Sequence, residues 1–100
     1  MNKIYERGRF YILDGGNHFI LVNKTKHFKD GHTHLTNYNT AIWLIKLSEH
    51  RSIPHRISPY LLESLIRVNS DEIYLKQLRA LQAEKRSAKN ERKREPKRTG

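Results

Sequence analysis

The stretch RFYILDGGNHFILV, residues 9–22, limits the folds open to this chain more than any other segment. Two runs of β-branched, aromatic and aliphatic residues flank the polar tetrapeptide DGGN. Gly15 and Gly16 can adopt the positive φ values that a tight chain reversal requires. The stretch therefore predicts a β-hairpin.

The alternation of side chains along this hairpin predicts two unlike faces. A pairing of Leu13 with His18 divides the apolar side chains into two sets. One set is Phe10, Ile12, Phe19 and Leu21, and the other is Tyr11, Ile20 and Val22. We expect the first face to pack on helices and the second face to be only partly covered.

Two further segments have the composition of strands. KIYE, residues 3–6, precedes Gly8 and predicts a third strand that ends before this glycine. Residues 26–35, which surround Asp30 and Gly31, predict a second, short hairpin.

From Thr36 onward the spacing of apolar residues changes from two to about 3.6, which is typical of amphipathic helices. The pattern predicts a first helix over about residues 39–50. It ends before Pro54, because the residue that precedes a proline avoids helical geometry. Ser58 followed by Pro59 predicts the start of a second helix, since a hydroxyl caps free amides and proline is tolerated in the first turn.

A third helix is predicted to begin at NSDE, residues 69–72, where Asn69 and Glu72 would form a capping box. Its apolar positions end near Ala83, and beyond this residue the chain is polar. The apolar residues of this helix are Ile73, Tyr74, Leu78 and Leu81.

These elements predict an α+β fold: an N-terminal β-hairpin or small antiparallel sheet, followed by three α-helices and a basic C-terminal extension. Residues 1–83 would form a single small domain, and residues 84–100 a basic tail that is frayed or disordered. Because the chain has no cysteine, disulfides cannot stabilise so small a body. We therefore expect a homodimer, or a partner that covers the sheet.

The chain carries a net charge of +10, from 20 Lys and Arg against 10 Asp and Glu. Half of this excess lies in residues 84–100. The basic residues of this tail are Lys85, Arg86, Lys89, Arg92, Lys93, Arg94, Lys97 and Arg98.

If the tail were helical, Lys85, Lys89 and Lys93 would lie one turn apart, and each such like-charge pair costs ~0.2–0.5 kcal/mol. A polyanion along this stripe would remove the repulsion and order the helix. The pattern therefore predicts that the tail contacts phosphates of nucleic acid, either RNA or DNA. The alternatives are a solubilising tail without a partner and a membrane-surface segment. The lack of Trp, Phe, Leu or Ile after Leu81 disfavours a membrane partner.

The body could add to this interface. Lys76 and Arg79 lie on the outer face of the third helix, and they would contact nucleic acid if the second and third helices formed a helix-turn-helix. Packing of two core helices is the alternative interpretation. Tyr11 could stack on a base, or it could simply be half-buried.

The segment FKDGHTHLTNY, residues 28–38, contains an H-x-H pair, His32 and His34. On a strand both imidazoles point to one side, which suits a phosphate or a metal ion. The pair, an asparagine and a later helical histidine resemble the ββα-metal nucleases. The other residues considered for such a site are His27, Asp30, Asn37, Asn39 and His50. Because no clear set of acidic ligands accompanies them, we predict no catalytic residue, metal or cofactor, and a polar turn at Asp30.

The runs FKDGHTHLTNYNTAIWLIKL and YLLESLIRVNSDEIYLKQL resemble small uncharacterised reading frames of phages and mobile elements of Gram-positive bacteria. The resemblance implies an accessory factor that modulates host or phage machinery. The main prediction is a non-enzymatic nucleic-acid-binding accessory protein, and the alternative is a protein-binding modulator of a host protein. With no apolar leader or membrane-spanning run, we expect a cytoplasmic protein.

Overall fold

The computed structural model describes the backbone of residues 2–99 and the side chains of residues 2–88. Its elements are β1 (Asn2–Arg7), β2 (Phe10–Asp14), β3 (Phe19–Asn23), β4 (His32–Leu35), α1 (Tyr38–His50), α2 (Pro59–Arg67) and α3 (Glu72–Thr99). The four strands form one antiparallel sheet in the order β1-β2-β3-β4. The α+β fold predicted from the sequence is therefore confirmed.

The β2–β3 hairpin forms, but its register differs from the predicted one. Ile12 pairs with Leu21 and Asp14 with Phe19, so the predicted pairing of Leu13 with His18 is wrong. The four-residue loop lies one position later than expected. It is closed by the Gly15 amide, which donates to the His18 carbonyl at 2.9 Å. Because this change shifts the register by two residues, each side chain keeps its predicted face.

The second predicted hairpin does not form. Of residues 26–35 only β4 is a strand, and it pairs with β3 rather than with the segment before it. The amides of Asp30 and Gly31 both donate to the His27 carbonyl at 2.9 Å, which makes this segment a turn. Pairing with β3 is favoured over the predicted hairpin because it places Thr33 and Leu35 on the buried face of the sheet.

Side-chain caps fix where the helices begin. Asn37 accepts the Thr40 amide at the start of α1, and Ser58 accepts the Leu61 amide at the start of α2, as predicted for Ser58. Asp71 caps α3 by accepting the amides of Ile73 and Tyr74, so the predicted capping box of Asn69 and Glu72 is wrong. A carboxylate at this position also interacts favourably with the positive end of the helix dipole.

Asn69 instead makes buried hydrogen bonds with its side chain. It is 1% exposed, and its side-chain amide donates to the Ser48 hydroxyl at 3.0 Å and to the Leu65 carbonyl at 2.8 Å. These bonds tie the turn between α2 and α3 to α1. Asn23 ties this turn to the sheet, because its side-chain amide donates to the Val68 carbonyl at 2.8 Å.

The core lies between the sheet and the helices. α1 packs on β3 and β4, α2 packs on β4, and α3 packs on α2. The face predicted to be buried is buried, with Phe10, Ile12 and Leu21 at most 1% exposed. The helices contribute large buried side chains to this core, which are Leu44, Ile45, Leu62, Leu65, Tyr74 and Leu78.

The third helix differs from its prediction at both ends. Ile73 is 75% exposed and not part of the core, and Leu75 is buried in its place. The helix does not end near Ala83: it continues through the exposed residue Ala88, since good helix formers follow. Residues 89–100 of the expected tail lie outside the residues whose side chains are described.

Candidate nucleic-acid interface

The outer face of the sheet carries a row of rings. Across the β3–β4 ladder His34 lies opposite Ile20, and His32 lies opposite Val22. The ring of His34 stacks on His18, with centroids 5.1 Å apart, and meets His32 edge-on at 5.2 Å. Cross-strand neighbours share a face of the sheet, so these imidazoles help to bury Ile20 and Val22, each 2% exposed.

Phe28 extends this row from the turn that precedes β4. Its ring lies parallel to His32, with centroids 4.3 Å apart and an interplanar angle of 5°. The His32 Nδ1 atom also contacts the Phe28 carbonyl oxygen. Phe28 is nevertheless 47% exposed, so the side chain is positioned by a stacking partner while much of it remains open to solvent.

A cavity of about 480 Å³ is lined by residues of β4 and α2. The Tyr60 hydroxyl donates to the His34 carbonyl at 2.5 Å, and the Thr33 hydroxyl donates to Ser64 at 2.8 Å, so both elements are held in place. We call this cavity the β4–α2 cleft. Its lining residues are His32, Thr33, His34, Tyr60, Glu63, Ser64 and Arg67.

The β4–α2 cleft is electropositive at one end. Partial burial lowers the pKa of His34, and the neighbouring charges of His32, His18 and Arg67 lower it further. An anion bound here would offset that repulsion and favour the protonated imidazole. The cleft thus supplies cationic and hydrogen-bonding groups to an anionic ligand, although Glu63 opposes them from its rim.

A second cavity, of about 520 Å³, lies on the outer face of the sheet beside Phe28. We call it the outer cleft. The Lys3 ammonium lies 5.5 Å from the centroid of the Tyr11 ring, which places a cation beside an aromatic wall. The lining residues are Lys3, Tyr11, Leu13, Val22, Asn23, Lys24, Lys26 and Phe28.

Two of the three lysines of the outer cleft are ion-paired. Glu6 accepts from Lys24 and from Lys3, the latter at 2.6 Å, and these hydrogen bonds lower the pKa of Glu6 to about 2. All three side chains are well exposed, so these ion pairs contribute little to stability. Lys3 and Lys24 are therefore available to a stronger anion.

The exposed face of α3 forms a third depression, of about 750 Å³. It contains Lys76 and Arg79, which the sequence placed on the outer face of this helix, and both are exposed. A turn of four residues, 68–71, joins α2 to α3, but Val68 and Asn69 in it are buried in the body. The helix-turn-helix interpretation of these two helices stays a prediction.

Lys26 lines two of these depressions and contacts the backbone of Arg67, which lines the third. It lines the outer cleft and the α3 depression, and its ammonium donates to the carbonyls of Arg67 at 3.0 Å and Asn69 at 3.2 Å. Cations line all three depressions and rings line two of them, and we call these residues together the basic–aromatic face. Its members are Lys3, Tyr11, Lys24, Lys26, Phe28, His32, His34, Tyr60, Arg67, Lys76 and Arg79.

Of the tail residues predicted to contact phosphate, Lys85 donates to the His55 carbonyl at 2.9 Å and Arg86 is exposed. The others, Lys89, Arg92, Lys93, Arg94, Lys97 and Arg98, lie outside the residues whose side chains are described.

The residues considered for a metal site are not brought together. His27 and Asp30 line a separate depression from His32 and His34, and the Asn37 side chain is occupied as a helix cap. Within residues 2–88 no group of three or more His, Asp or Glu side chains is arranged to hold a metal ion.

The sequence did not reveal Phe28, Tyr60 and Arg67 as members of one surface. They lie in a turn and at the two ends of α2, and only the packing of α2 against β4 brings them near the histidines. One pattern could have identified Tyr60: it is an aromatic residue outside the apolar stripe of its helix, and it is 61% exposed.

Comparison with protein-family models, curated proteins and solved structures finds no match to this chain. Among the described residues, none of the helices is both long and apolar enough to cross a membrane.

Proposed function

We propose that this protein is a non-enzymatic nucleic-acid-binding accessory protein, in which the folded body orients RNA or DNA and the basic tail contacts its phosphates. The observation that supports this most is the basic–aromatic face, where aromatic and imidazole rings line two depressions together with lysine and arginine side chains. Proteins that bind single strands combine a cationic groove with aromatic side chains on which bases stack.

Charge supports the same proposal. Residues 84–100 carry a net charge of +5, and the rest of the chain carries an equal excess. Arg67, Lys76 and Arg79 form no ion pair with any side chain of residues 2–88. A surface with unpaired cations next to exposed rings favours an anionic, planar ligand over an uncharged one.

The test is the salt dependence of oligonucleotide binding, measured by fluorescence anisotropy. If about five phosphates are neutralised, the slope of log K against log salt should be roughly −4. Replacing all eight basic tail residues with Gln in the full chain should flatten this slope. The control is Lys46→Gln, an exposed cation on α1 that lines none of the three depressions. An unchanged slope in the tail variant would show that the tail makes no phosphate contacts.

A second candidate function is binding to a host protein, as the sequence also suggested. It is favoured by Ile73, which is 75% exposed beside Leu75 in the α3 depression. A complex that survives nuclease treatment and high salt, and that is lost in Ile73→Asp but not in Lys46→Asp, would support this function. Loss of the complex on nuclease treatment would support the nucleic-acid proposal.

A further inference from the structure

The outer cleft has the composition of a site for a flat, apolar group that carries a negative charge. Leu13 and Val22 supply aliphatic surface, and Tyr11 and Phe28 supply rings. Its volume of about 520 Å³ lies within the range of small-molecule sites. Among the residues whose side chains are described, three lysines and no carboxylate line it.

Phe28 is exposed, yet its ring is held in place by a neighbouring side chain. The parallel contact with His32 covers one side of the ring, while the residue remains 47% exposed. A ring that is already held in place loses little conformational entropy when a planar ligand stacks on it. A nucleobase on Phe28 would extend an existing stack of Phe28 and His32.

Three lysines line the same cleft as Phe28. Lys3 and Lys24 both contact Glu6, and Lys26 contacts the backbone carbonyls of Arg67 and Asn69. Glu6 holds the first two ammonium groups together beside the cleft. A phosphate that replaced Glu6 as their partner would bind beside the stacked base.

From these observations we propose that the outer cleft binds an unpaired base by stacking on Phe28, and that the protein therefore selects single-stranded over double-stranded nucleic acid. This inference rests on the proposed nucleic-acid binding and names its substrate class. In a duplex each base is paired and stacked on its neighbours, so it cannot enter the cleft without being extruded. Tail contacts to phosphates do not depend on strandedness in this way.

The experiment compares a labelled single-stranded oligonucleotide with its duplex, in both RNA and DNA form, by fluorescence anisotropy with the full chain. Phe28→Leu removes the ring but keeps an apolar side chain. The matched control is Trp43→Leu, which removes another exposed aromatic ring, 39% exposed, from α1. We expect Phe28→Leu to weaken single-strand binding by about 5- to 100-fold, the effect of losing one base–aromatic stack, and to leave duplex binding unchanged.

A second variant tests the same cleft without altering its rings. Glu6→Gln releases Lys3 and Lys24 from their carboxylate partner. We expect tighter single-strand binding and a salt slope that is steeper by about 0.7 for each lysine that gains a phosphate. Circular dichroism of each variant shows whether the fold is retained.

The outcomes separate this inference from the proposed function. Equal affinity for single strands and duplexes, with equal effects of Phe28→Leu and Trp43→Leu, would overturn the base-stacking inference and leave phosphate binding intact. If neither nucleic acid binds at low salt, the proposed function itself fails.

Discussion

The inner and outer faces of the sheet are formed by the same strands, yet their side chains are covered differently. On the inner face, Ile12 and Leu21 pack against aliphatic residues of the helices and are fully buried. On the outer face, Ile20 and Val22 are buried beside imidazole rings, while Leu13 and Tyr11 remain half-exposed. The inner face is a close-packed core.

This difference shows how a small protein can use a second apolar face. Imidazole and phenol groups cover aliphatic side chains and still present polar atoms and ring faces to solvent. An aliphatic cover would bury more apolar surface but would leave nothing to recognise a ligand. We therefore expect substitutions on the inner face to act on stability and those on the outer face to act mainly on binding.

The largest expected effect on stability comes from truncating one leucine to alanine on each face of the sheet. Leu21→Ala should lower the free energy of unfolding by about 2–5 kcal/mol, because it leaves a cavity in a close-packed core. Leu13→Ala, on the half-exposed face, should cost only about 1 kcal/mol, because less apolar area returns to water. Denaturant unfolding of both variants measures the difference, and equal losses would contradict this comparison.

A smaller effect is expected where the inner face meets the turn between α2 and α3. Asn23→Ala removes the donor to the Val68 carbonyl and the acceptor of the Thr25 amide. Leaving these groups without partners in a buried site should cost about 1–3 kcal/mol. Asn17→Ala, in the exposed hairpin loop, is the matched control and should stay within about 0.5 kcal/mol of the parent. Similar losses in the two variants would show that the buried amide does not join the sheet to the helices.

The smallest expected effect on stability comes from His34 on the outer face, and it depends on pH. The folded protein lowers the pKa of His34, so the unfolded chain binds more protons once the pH falls below about 6.5. The contribution of His34 to stability is therefore complete above that pH and is lost as the pH falls toward the folded-state pKa. Thermal melts at about pH 7.5 and pH 5.5 should show a smaller decrease in Tm for His34→Gln than for the parent. Lys46→Gln, on the exposed face of α1, should retain the decrease of the parent, and a parental decrease in His34→Gln would exclude this role.

Much of the fold could be predicted because its signals are local. Two apolar runs around adjacent glycines predicted the hairpin, and Ser58 with Pro59 predicted the start of α2. One error arose where two neighbouring residues can each cap the same helix. Asp71 and Asn69 can both cap a helix, and burial of Asn69 against Ser48 leaves the cap to Asp71.

The candidate site was less predictable. His32, His34, Lys76 and Arg79 were named from local patterns, but the cleft residues Phe28, Tyr60 and Arg67 were not. Their common location depends on the packing of α2 on β4 and on a turn whose conformation the sequence did not reveal.

The sequence by itself determined the β2–β3 hairpin, the three helices, the two faces of this hairpin and the excess of positive charge. These properties follow from side-chain period and composition, which act over a few residues. Only the tertiary structure decided which cations and rings share a surface, because contacts between residues as distant as Lys26 and Arg67 depend on how the elements pack.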